Sequence, residues 1–167
     1  INYTHIENNF VDFDRERLLF KMNSSEGPCL CSADFNQDGL DDLYIGSAKN
    51  QVSKIFYQTT EGKFQEYTKT FEKDLSSDDV YCIADDFNGD GRIDLIVASG
   101  GSEYSSFSPE LRDRLYLNTG EMNFNKIDNA FSSITTFEST STISSDDIDK
   151  DGDLDLFIGT RLNPGSY

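Results

Sequence analysis

The stretch DFNGDGRIDL, residues 86–95, sets Asp86, Asn88, Asp90 and Asp94 at loop positions 1, 3, 5 and 9, with Gly91 at position 6. Every side chain it offers as a donor carries oxygen, the donor type that hard divalent cations take. A calcium loop flanked by helices needs a bidentate glutamate at position 12, where this chain has Val97. The residues after Asp94 are apolar and β-branched instead, so the loop joins two strands.

The pattern occurs three times. DFNQDGLDDL at 34–43 supplies Asp34, Asn36, Asp38 and Asp42, and DIDKDGDLDL at 147–156 supplies Asp147, Asp149, Asp151 and Asp155. The glycine at position 6 recurs as Gly39 and Gly152, and permits a sharp turn after which position 7 can offer its carbonyl oxygen. Position 7 is therefore free to vary, and it runs Leu40, Arg92, Asp153. Asp, Asn and Gly are also ordinary turn formers, so a single copy carries little weight. Three copies with matching donors point to three metal loops. Calcium is the expected ion, because it accepts six to eight oxygens in flexible geometry where magnesium demands an octahedron.

The copies start 52 and 61 residues apart, a period that suits a four-stranded propeller blade. Before each loop stands a short strand-like stretch (PCLCSA, VYCIAD, STISSD), and after it a run apolar on both faces (DLYIGS, DLIVAS, DLFIGT). Such runs suit sheets covered on both sides. SKIFYQTTEGKFQEYT and DRLYLNTGEMNFNKI then each read as strand, turn and strand, with Gly62 or Gly120 in the turn. From Asp34 to Gln58 is 24 residues, and from Asp86 to the matching Asn118 is 32, so the second copy carries an insert of eight around GGSEYSSFSPEL. The fold predicted is all-β, with blades of four antiparallel strands. An N-terminal segment over 1–27 packs on blade repeats at 28–78 and 79–138 and a partial repeat at 139–167. That makes about two and a half blades of a larger propeller.

These repeats, in ADFNQDGLDDLYIG, ADDFNGDGRIDLIVASGG and DDIDKDGDLDLFIG, resemble the FG-GAP or VCBS repeats of integrin alpha chains and of bacterial surface and secreted proteins. The resemblance covers residues 28 to 160. It implies that the acidic loop links the first two strands of each blade and that about seven blades make the ring. The stretch THIENNFVDFDRERLLFKMNSSEGP is also similar to the segment that precedes such repeats in bacterial cell-surface lipoproteins, with His5 and Glu7 read as solvated.

Thirty-one acidic against fourteen basic residues give a net charge of -17, which repels nucleic acid and anionic membrane surfaces. No apolar run is long enough for direct membrane insertion. The chain starts at Ile1 without an initiator Met, as expected of an excised or mature piece of a longer protein. Cys29, Cys31 and Cys82 make no disulfide framework and read as small buried thiols. One histidine, no serine elbow and no phosphate loop argue against catalysis.

The function expected is a calcium-stabilised binding module for protein or glycan partners, extracellular or on a cell surface, including a bacterial periplasmic or outer-membrane-anchored setting. A structural subunit completed by other blades or chains, or an accessory domain of a larger carbohydrate-active enzyme, is the alternative. Tyr104, Phe107 and Pro109, on the insert at the blade end remote from the acidic loop, are the expected partner contact, as exposed aromatics on a long loop.

Overall fold

In this chain β-branched and aromatic runs alternate with Gly, Asp and Asn turns, and the strands form where those runs lie. The computed structural model describes residues 1–131 and 137–164. Residues 132–136, in the second expected repeat, and 165–167, at the end of the third, lie outside the described residues.

The protein is all-β, with three antiparallel sheets among the described residues. The first runs β1 (Leu30–Ala33), β2 (Asp42–Ile45), β3 (Lys54–Gln58), β4 (Phe64–Tyr67) in chain order. The second repeats that order with β5 (Asp79–Asp85), β6 (Asp94–Ser99), β7 (Arg114–Gly120) and β8 (Asn123–Ile127). The third pairs β9 (Ser139–Asp146) with β10 (Asp155–Leu162). Each first hairpin has the same register, because the residue before the acidic loop always faces position 9: Ala33 with Asp42, Asp85 with Asp94, Asp146 with Asp155.

The first strands β1, β5 and β9 neighbour one another in turn, so the sheets stack as propeller blades do. This explains why the second strands are apolar on both faces. In β6, Leu95 and Val97 enter the seam with the first sheet, while Ile96 and Ala98 enter the seam with the third. Phe71, from a 3-10 turn at Phe71–Asp74, plugs the first seam, its ring centroid 5.4 Å from Tyr44 and 5.2 Å from Tyr116. Such edge-on pairs add about 0.5–1.5 kcal/mol each beyond the area they bury. Tyr44, Ile96 and Phe157 hold the same place in β2, β6 and β10. The first two are buried in seams, whereas Phe157 is exposed on the free face of the third sheet. Three sheets are fewer than the about four to eight that close a propeller.

Residues 1–27 contain one helical turn, α1 (Asp12–Arg15), and no strand. The Tyr3 hydroxyl donates to the Gly46 carbonyl at 2.9 Å and the Ser102 hydroxyl donates to Asp12, so the segment spans the first sheet and the insert of the second. This corrects the expectation of solvated His5 and Glu7. Within the segment the two pair at 2.6 Å, and both side chains are largely shielded. Cys29 and Cys82 are buried in the first seam with Cys31 half-buried beside them, all three as free thiols.

A fully buried ion pair crosses this seam. Asp79, at the start of β5, takes the Arg114 guanidinium from β7 on one oxygen. On the other it accepts the Tyr44 hydroxyl at 2.9 Å, the Ser47 N–H at 3.2 Å and the Ser53 hydroxyl, all from the first sheet. Both charged residues are buried. Removing one partner of a buried pair strands the other charge, at a cost of about 3–5 kcal/mol. Arg114→Ala is therefore expected to lower the unfolding free energy by that amount in urea denaturation, and a loss under 1 kcal/mol contradicts the role given to this pair.

Candidate metal centre

Each acidic loop is shaped by its own carboxylates accepting main-chain N–H groups. In the first, Asp34 accepts Asp38 N at 3.0 Å on Oδ1 and Gly39 N at 2.8 Å on Oδ2. Asn36 Oδ1 accepts Asp38 N at 3.1 Å, and Asp38 Oδ1 accepts Leu40 N at 2.9 Å. The second loop repeats this with Asp86, Asn88 and Asp90, at 3.1, 2.7, 2.9 and 2.9 Å. The third repeats it with Asp147, Asp149 and Asp151, at 3.1, 3.2, 3.2 and 3.1 Å. The wiring is the same in all three copies although positions 3, 4 and 7 differ in residue type.

Two residues per loop take left-handed backbone. Position 6 is the expected one, with φ of 83°, 82° and 98° at Gly39, Gly91 and Gly152. Position 4 is the second, at Gln37, Gly89 and Lys150, with φ of 62°, 72° and 63°. Gly89 was the only sign of this in the sequence, because a side chain tolerates that conformation at a modest cost.

Position 9 ties the loop to the sheet. Asp42 Oδ2 accepts Phe35 N at 3.0 Å, and Oδ1 accepts Gln58 N on β3 at 2.8 Å. Asp94 does the same with Phe87 N at 3.2 Å and Asn118 N on β7 at 2.7 Å. Asp155 keeps the first of these contacts, to Ile148 N at 3.0 Å, in a sheet of two strands. Asp42 and Asp94 are fully buried.

Burial raises the Asp42 and Asp94 carboxyls against those N–H bonds, and the carboxylates at positions 1 and 5 raise them further. A carboxyl whose folded pKa lies above its unfolded one favours folding at low pH and loses that contribution as pH rises. Ion-free loops therefore weaken toward neutral pH. In the third loop Asp151 raises Asp153 by sharing a hydrogen bond and by charge. In the second, dehydration raises Asp90, but the Arg92 N–H, the Asn88 amide and the Arg92 guanidinium prevail and hold it low. The Arg92 side chain also reaches the Asn118 carbonyl at 2.8 Å, so position 7 is not idle there.

The donors fit a hard cation. The first two loops offer Asp and Asn oxygens and the third Asp oxygens alone, with no nitrogen or sulfur ligand. Oxygens of Asp147, Asp149 and Asp151 already lie within 4.8 Å of one another. The first two loops stand side by side, with Gln37 Nε2 donating to the Gly91 carbonyl at 2.8 Å.

The insert differs from expectation. Phe107 is 82% exposed and Pro109 is exposed, but Tyr104 is only 5% exposed. Its hydroxyl donates to the Ser76 carbonyl at 2.7 Å and Lys49 Nζ lies 4.6 Å from its ring centre, so it anchors the insert and does not face a partner.

Comparison with known proteins agrees with the repeat. The model of the FG-GAP-like repeat matches residues 34–97 and 86–158. The phosphatidylinositol-glycan-specific phospholipase D of Mus musculus is 30% identical over 105 residues, covering 53% of this chain and 12% of that protein. This chain thus corresponds to a small part of that relative's length.

Asp42→Ala removes the acceptor from two N–H groups, and a buried donor left unpaired costs about 1–3 kcal/mol. The substitution is expected to lower stability by about 2–5 kcal/mol in urea denaturation even in EDTA. A loss that vanishes once EDTA is present contradicts the clamp assigned to position 9.

Proposed function

The chain belongs to the FG-GAP-like repeat family, and we propose that it is a calcium-stabilised propeller module, located outside the cytoplasm, that binds protein or glycan and catalyses no reaction itself. The observation that carries this reading is the identical wiring of three loops that present only hard oxygens. Without an ion, three or more carboxylates in one loop repel one another, and buried Asp42 and Asp94 add to that cost.

The magnitudes favour a structural role for the ion. Extracellular calcium modules have dissociation constants of about 10⁻⁴ to 10⁻³ M. At tenfold excess each site contributes about 1.4 kcal/mol, so three give about 4 kcal/mol. That is a large part of a typical total of about 5–15 kcal/mol. Extracellular calcium is millimolar, which is why the reading places the module outside the cytoplasm. No helix among the described residues is long and apolar enough to cross a membrane.

For partner contact, exposed Phe107 and Pro109 lie at the blade end away from the loops, on an insert held by buried Tyr104 and Leu111. Exposed Ile148 and Phe157 hold the places that Phe35, Phe87, Tyr44 and Ile96 fill inside the seams, which favours further blades or another chain against the third sheet. A second reading, an accessory module of a larger enzyme, is favoured by the likeness to a stretch of a phospholipase D. His5, the one histidine, is engaged with Glu7 within the N-terminal segment, which supports a non-catalytic role for these residues.

Excess EDTA is expected to lower the melting temperature by about 10 °C relative to millimolar calcium, as about 4 kcal/mol corresponds to in a domain of this size. An unchanged melting curve removes calcium from the reading. In a screen of extracellular proteins and glycans, Phe107→Ala is expected to abolish the hits of the wild type while leaving the melting curve as it was. Retained binding moves the contact surface elsewhere.

A further inference from the structure

The blade end remote from the acidic loops holds a second group of hard oxygen donors. Asp78 directly precedes β5, Glu103 lies in the insert after β6, and Glu7 and Asn8 come from the N-terminal segment that crosses both. Asp78 is 1% exposed, the Glu103 side chain is 2% exposed, and each has a carboxylate oxygen with no hydrogen-bond partner among the described residues. Glu7 Oε2 and Asn8 Oδ1 are buried and unpartnered as well. Four oxygens without partners in one region are unusual, because buried polar atoms almost always find one.

The existing contacts leave these oxygens free. Asn8 Nδ2 donates to Glu103 Oε1 at 2.5 Å, and Lys49 Nζ lies 3.5 Å from the same oxygen, so both attend Oε1 and leave Oε2 bare. His5 takes Glu7 Oε1 and leaves Oε2. Gly101, at φ +94°, lets the backbone pass close to both carboxylates: a Cβ there would lie 3.3 Å from Asp78 Oδ2, the oxygen beside the unpartnered Oδ1, and 3.4 Å from the unpartnered Glu103 Oε2. Burial first, and then the charges of Glu103 and Glu7, push the Asp78 carboxyl up to about 9. Lys49 and the more distant Arg114 offset part of this negative charge, and Asp12 adds to it at Glu103.

We propose that Asp78, Glu103, Glu7 and Asn8 form a fourth site, for a hard divalent cation of the calcium type, which pins the N-terminal segment to the first two blades. All four donors are oxygens, and a calcium ion completes its six to eight ligands with water. Among the described residues only Asp147, Asp149 and Asp151 have carboxylate oxygens all within 4.8 Å of one another, so an ion at the fourth site has to draw its three carboxylates closer together. The proposal does not depend on the three loops, since it uses none of their residues.

Native mass spectrometry of the full chain in calcium tests it. The wild type is expected to carry one ion more than Glu103→Gln or Asp78→Asn, and four in all if the three loops are filled. The difference of one is the reading, so empty loops would show as one ion against none and leave this site intact. An amide removes the cost of holding a buried carboxyl among like charges, so both variants should fold, and in EDTA Asp78→Asn should melt above the wild type while calcium raises its melting temperature less. Equal ion counts in wild type and both variants, or equal stabilisation of Asp78→Asn and wild type by calcium, overturn the site.

Discussion

An aspartate buried at the mouth of a hairpin, with both its oxygens taken by main-chain N–H groups, is the constraint on which the first two blades depend. Asp42 and Asp94 each hold the second residue of the acidic loop and the third strand of the sheet at once. The hydrogen bonds to a charged acceptor are worth about 1.5–3 kcal/mol apiece, and they are made where water cannot compete. From that point the loop must be tight, which is why positions 4 and 6 turn left-handed. The tight loop then crowds three further carboxylate or amide groups on its outer side. A fold built this way accumulates negative charge by construction, and the three loops hold twelve of the thirty-one acidic residues behind the net charge of -17.

Stacking converts three such hairpins into one body. The seam between the first two sheets is closed by aromatic rings around Phe71 and locked at one end by Asp79 and Arg114. The acidic loops lie at the other end, where Gln37 bridges to the second loop and Asn118 Nδ2 reaches the Phe35 carbonyl at 2.8 Å. The first blade is therefore fixed to the second at both ends by polar contacts and in the middle by apolar ones. The third sheet shows the same preparation on its free face, where Ile148 and Phe157 stand exposed.

Much of this was legible in the sequence, and the reason is local. Ligand spacing, turn glycines and apolar runs are all set within about ten residues, so the three loops, the strands around them and the length of the insert could be read directly. What escaped depends on contacts between distant segments. Nothing near Arg114 announces Asp79, 35 residues earlier in the chain. Nothing in SEYSSF shows that the Ser76 carbonyl will take the Tyr104 hydroxyl and turn an apparent surface aromatic inward. The clamp made by position 9 was half visible, since its carboxylate was identified as a donor while its two N–H partners, one of them on the third strand, were not. His5 and Glu7 were read as solvated because the N-terminal segment shows no periodicity that reveals what it covers.

The central claim is that the three acidic loops each hold a hard divalent ion that offsets the charge their fold concentrates. Anomalous diffraction from crystals grown in millimolar calcium addresses this directly. The account expects a peak in each of the three loops, about 2.3–2.6 Å from oxygens of positions 1, 3 and 5. Loops that keep their shape at full calcium occupancy of the solvent, with no peak inside them, would contradict it.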